Sequence, residues 1–89
     1  MLTLPDVLTH DLTARFAPGL RALVQAEPAQ VVVDASALQT FDSSALAVLL
    51  ACRREALSAD KSFAVHALPA RLRQLATLYG VAELVPAAA

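Results

Sequence analysis

The sequence predicts an α/β fold: a small, mixed, mostly parallel sheet with helices packed against it, forming one domain over residues 1–89. Three observations predict it. The run Val31-Val32-Val33 is β-branched and lacks polar alternation, the pattern of a strand buried on both faces in the middle of a sheet. Segments around it carry apolar residues at spacings of three and four, the period of a helix with one packed face. Strand-like and helix-like segments also alternate along the chain, as parallel strands joined by crossover helices require.

The elements follow in order. Met1–Leu4 is short and apolar and is closed by Pro5, which fits a strand stub at a sheet edge. Residues 11–25 read as a helix, with Leu12, Phe16, Leu20 and Leu23 on one stripe and Thr9 or Asp11 available to cap it. Pro18-Gly19 interrupts that helix, because an interior proline removes a hydrogen bond and kinks the turn. Gln30–Asp34 is the central strand, and Ala35–Phe41 a polar-rich loop. A helix is expected over 43–58, with Leu46, Leu49, Leu50, Arg53 and Leu57 marking one face. "SADKS" is a turn, and residues 63–67 (FAVHA) form a further strand. Pro69 opens the last helix at a position where a missing N–H costs little. Leu72, Leu75, Ala76 and Tyr79 recur along that helix, Tyr79 as an end-packing residue with its hydroxyl at the rim. Gly80 is placed to stop it. Residues 81–85 are apolar apart from Glu83, and 86–89 form a tail.

Composition narrows the function. Hydrophobic residues make up 57% of the 89, and mean hydropathy is +0.57. A chain this short buries only about 60–65% of its unfolded surface, so leftover apolar surface is expected, which commonly marks a partner. An alanine-rich composition that merely raises the average is the alternative explanation. The net charge of −1 offers no basic footprint for nucleic acid. The single cysteine, Cys52, excludes an internal disulfide and a structural zinc site, and its apolar neighbours mark it as core. The longest apolar run, Ala45–Cys52, has eight residues, against the ~20 that cross a bilayer. No secretory signal is visible, so the cytoplasm is the expected compartment, without direct membrane insertion.

No catalytic or metal-binding constellation stands out. His10 and His66 are far apart in sequence, and His66 sits in an apolar strand context. The carboxylates form no paired acid–base motif, and Asp34 at a strand end is suited to holding the adjacent loop by hydrogen bonds. With only Gly19 and Gly80, no phosphate cradle exists. The expectation is a non-enzyme that needs no cofactor, metal or small-molecule substrate.

The segment "VVVDASALQTFDSSALAVLLACRREA" poses the functional question, because Asp42, Ser43 and Ser44 stand where a strand hands over to a helix. Asp42 can cap one of the helix's free N–H groups, leaving the two serines in the first turn. Such a helix start favours an anionic group, and a phosphoryl on Ser43 would add about −1.5 to −2 charges at pH 7. Asp-Ser-Ser is equally a good helix start with no further role.

That segment resembles the centre of the STAS family, the sulfate transporter and anti-sigma factor antagonist domains. There a strand ends in an Asp-plus-small-residue loop, and a second loop of the form D-S-[ST]-G-[LI] opens the next helix. Asp34-Ala35-Ser36 and Asp42-Ser43-Ser44-Ala45-Leu46 stand at the matching places, with Ala45 where glycine is common. The later "LPARLRQLATLYGVAELVP" resembles the end of MlaB-type STAS proteins, the small subunit of the bacterial Mla phospholipid-transport ABC system. The likeness spans roughly residues 6–86; before it, a STAS domain usually has a fuller first strand or hairpin.

The resemblance implies a small STAS-type domain. It implies a non-catalytic accessory subunit that binds the transporter's ATPase subunit and is peripheral to the inner membrane through that partner. Thr40, Phe41, Asp42, Ser43 and Ser44 would form the partner-binding loop. Ser43 also matches the position phosphorylated in anti-sigma factor antagonists, which implies the alternative of a partner-switching regulator controlled by phosphorylation at Ser43.

Overall fold

The computed structural model describes residues 1–88. The strands are β1 (Leu2–Thr3), β2 (Val7–Leu8), β3 (Gln30–Asp34), β4 (Thr40–Phe41) and β5 (Ser62–His66). The helices are α1 (His10–Phe16), α2 (Leu20–Gln25), α3 (Ser44–Ser58) and α4 (Ala70–Leu78). Single 3-10 turns at Ala17–Gly19 and Ala82–Leu84 complete the order. The strand pairings are all parallel among the described residues: β1-β3-β5 form one sheet and β2-β4 a two-stranded ribbon. The α/β fold is therefore as expected, with β3 in the middle and the Met1–Leu4 stub at an edge, but the expected mixed sheet is instead wholly parallel among the described residues and is split in two, because β2 and β4 pair with each other and not with β3 or β5.

The register explains the core. Val31 faces Phe63 and Val33 faces Val65 across β3 and β5, and Leu2 faces Val33 across β1 and β3. All five are buried on one side of the sheet with Val24, Leu46, Leu49 and Leu72. The other side holds Gln30, Val32 and Asp34 opposite Ser62, Ala64 and His66. There Ala64 is buried, but Val32 is only half-buried and Gln30 is exposed. This corrects the expectation of a strand covered on both faces: a β-branched triplet need not be two-sided when its middle residue is only half-covered.

The helix over 11–25 is two helices. Pro18 sits in the 3-10 turn between α1 and α2, where its missing N–H breaks the α-helical ladder. The tighter turn shifts the phase of the stripe. Leu20 and Val24 are buried, whereas Leu12 and Leu23 are exposed at 36% and 44% and Phe16 is half-buried. A similar rotation applies to α3. Its packed face is Ala45, Leu46, Val48, Leu49, Cys52 and Ala56, and Leu57 is 49% exposed. The small residues let α3 lie close to β5 and α2, so the larger Leu57 falls outside the seam. Cys52 is core, and burial pushes its thiol up to about 12.

Both long helices end in the same motif. At α4 the N–H of Val81 reaches the carbonyl of Ala76 (2.8 Å) and that of Gly80 reaches Thr77 (3.0 Å), with Gly80 at φ 72°. At α3 the N–H of Lys61 reaches Ala56 (2.8 Å) and that of Asp60 reaches Leu57 (3.1 Å), with Asp60 at φ 59°. These are Schellman closures, which need a left-handed residue just past the helix. Lys61 then extends its ammonium to the carbonyls of Val24 (3.1 Å), Gln25 (3.0 Å) and Glu27, satisfying the end of α2.

Two further expectations change. Tyr79 is 57% exposed, more than an end-packing residue would be: α4 ends at Leu78, and Tyr79 follows as its C-cap, outside the buried pair Leu72 and Ala76. The segment after Val85 is not loose within the described residues. Ala87 bridges Val65 in parallel, through Val65 N–H to Pro86 O (2.8 Å) and Ala88 N–H to Val65 O (2.9 Å). Ala89 of the expected tail lies outside the described residues.

Candidate functional site

The serine junction is built from backbone outward. The carbonyl of Asp6 accepts the N–H groups of Gln39 (2.8 Å) and Thr40 (3.0 Å), which draws residues 40–41 into β4 beside β2. Ala35 and Leu38 are buried, so the loop before β4 is anchored from within although it reads as polar. Asp34 accepts the N–H of Ser36 at 3.0 Å, the loop-holding role expected of it, and that bond holds its carboxyl below the usual range.

Asp42 joins two helices. One carboxylate oxygen accepts the N–H of Ser44 at 2.8 Å, at the start of α3. The other accepts the N–H of His10 at 3.1 Å, the first residue of α1. Two helix N-termini, each partly positive, thus meet one carboxylate. The Ser44 N–H and hydroxyl, and then the N–H and charge of His10, hold the Asp42 carboxyl below its ordinary 3.8. The carboxylate is committed to the fold, which leaves Ser43 as the projecting group. Ser43 is exposed and makes no capping bond of its own, and Ser44 is half-buried. Immediately below them Ala45 and Leu46 are buried, fixing the corner to the core.

Phe41 is half-buried against the core, and the Arg71 guanidinium of α4 lies over its ring at 5.7 Å from the centroid. Thr40 is exposed. The structure therefore places Thr40, Phe41, Asp42, Ser43 and Ser44 together on one accessible corner, flanked by the start of α1 and by α4. Sequence reasoning missed His10 and Arg71 as members of this corner. No sequence signal marks either, because they join it from 32 residues before and 30 after Asp42 and Phe41 respectively.

A family model described as "Mlab, STAS domain" matches residues 1–86. The chain belongs to the STAS domain family. No curated protein matches it. In this STAS domain the residue after the serine pair is Ala45, and its methyl group is wholly buried. His66 ends β5 opposite Asp34 and is exposed, and His10 contributes its main chain. Among the described residues no three His, Cys, Asp or Glu side chains gather as metal ligands. No helix among them is long and apolar enough to cross a membrane.

Proposed function

We propose that this STAS domain is a non-catalytic accessory subunit that docks onto the ATPase subunit of a Mla-type phospholipid ABC transporter and supports its assembly or activity. The observation that carries the reading is the Asp42 junction. It fixes the start of α3 from two sides while Ser43 projects into solvent. A corner rigid in its backbone and open at its side chains suits recognition by another protein, because little order is lost on binding. The "Mlab" description of the matching family supports the choice of partner. The domain would work at the inner membrane's cytoplasmic side through that partner.

Ser43 is equally accessible to a kinase, so the partner-switching alternative makes a distinct prediction: a stoichiometric mass gain of one phosphate at Ser43 with a cognate serine kinase and ATP. The docking reading is tested by co-purification with the ATPase subunit, comparing the unmodified chain with Ser43→Glu. Loss of the ATPase from the folded variant supports it, and undiminished binding removes this corner from the interface.

A further inference from the structure

Helix α4 leaves one face largely uncovered, with only Leu75 of that face partly packed against the core. Arg71, Gln74, Leu75 and Leu78 line a groove of about 300 Å³ along it. Their spacing places them on one stripe, away from the buried Leu72 and Ala76. Leu78 is 76% exposed, the most exposed of the large apolar side chains described, and Leu75 is half-buried. The stripe is continuous with the serine corner, since Arg71 lies over Phe41.

Charge indicates what covers it. Helix α4 carries two arginines and no carboxylate. Arg73 is turned inward and donates to the carbonyl of Val85 at 2.8 Å. Arg71 remains at the surface, and among the described residues its guanidinium has no carboxylate partner. The partly positive start of α3 lies beyond Phe41, with its own counter-charge, Asp42, already engaged. The face is thus apolar at the Leu78 end and cationic at the Arg71 end.

We propose that this face docks an amphipathic helix of the ATPase partner, with apolar residues against Leu75 and Leu78 and a carboxylate on Arg71. The inference rests on the docking reading above and extends it to the chemistry of the partner's segment. A stripe with i, i+3, i+4 and i+7 members forms a ridge and groove that a second helix can fill. An aromatic-backed arginine is well suited to anchor a carboxylate, because the ring limits the conformations it must lose.

The test is titration of the purified ATPase subunit into the full chain and into Leu78→Asp, Arg71→Glu and Arg71→Gln, with Ser43→Glu in parallel and folding checked by circular dichroism. Because both positions are exposed, the variants fold. Leu78→Asp and Arg71→Glu each weaken binding by about tenfold or more. Binding of the unmodified chain weakens with salt, and the slope is shallower for Arg71→Gln. Normal binding by Leu78→Asp and Arg71→Glu while Ser43→Glu fails overturns this proposal and leaves the corner reading intact. No binding by the unmodified chain overturns both. Flotation of the chain alone with anionic phospholipid vesicles, abolished in Leu78→Asp, overturns it in favour of a lipid surface. Concentration-dependent dimers in sedimentation, abolished in Leu78→Asp, overturn it in favour of a second copy.

Discussion

The carboxylate of Asp42 accepts the backbone N–H of His10 at 3.1 Å and that of Ser44 at 2.8 Å, so one side chain secures the starts of α1 and α3. These bonds favour the charged form and lower the Asp42 carboxyl below 3.8. A carboxyl lowered on folding stabilises the fold above its unfolded value, and that contribution is lost as pH falls through the folded value. Asp42→Asn keeps one acceptor oxygen but loses the charge, and Asp42→Ala loses both. Melting temperatures at pH 7 are therefore expected in the order unmodified, Asp42→Asn, Asp42→Ala. The gap between the unmodified chain and Asp42→Asn should close as pH drops below about 4. A gap independent of pH would show that the charge is immaterial at this junction.

The packed face of α3 sets a second expectation. Leu49 is wholly buried, whereas Leu57 is 49% exposed. Leu49→Ala should cost about 2–5 kcal/mol, the range for a buried leucine. Leu57→Ala should stay within about 0.5 kcal/mol, as surface changes do. Urea denaturation of the two variants measures both. Equal losses would restore the face on which Leu57 packs.

Gly80 and Asp60 close their helices in the same left-handed conformation, so they should respond in opposite senses. Gly80→Ala forces a Cβ into that region and should destabilise by about 1–2 kcal/mol. Asp60→Gly relieves the same strain, less the added backbone freedom of glycine when unfolded, and should raise the melting temperature slightly. No atom lies within 4 Å of a Cβ built on Gly80, so the loss would come from backbone conformation and not from a clash.

These residues also show what the sequence could carry. The stop at Gly80, the break at Pro18, the strand at Val31–Val33 and the cap at Asp42 are local matters of backbone geometry and donor supply, and local sequence states them. The two-residue strands β2 and β4 are too short to have a period, so Thr40 and Phe41 read as loop until Val7 and Leu8 pair with them. The burial of α3 turned on the choice between Leu57 and the small Ala45, Cys52 and Ala56, which only the neighbouring strand and helix decide. The five residues proposed for the corner are consecutive, so local sequence suffices to name them together. The corner's second hydrogen bond to His10 and its arginine neighbour were not legible, because both are tertiary contacts.

The central claim is that the projecting serine at the start of α3 meets another protein, and Ser43→Glu measures it most directly. A glutamate in the first turn of a helix is compatible with its partly positive end, so the variant should fold with an unchanged melting temperature. Affinity for the ATPase subunit, measured by titration alongside Ser43→Ala, is expected to fall by about tenfold or more for the glutamate and to persist for the alanine. Full-strength binding by the folded glutamate variant would contradict the account.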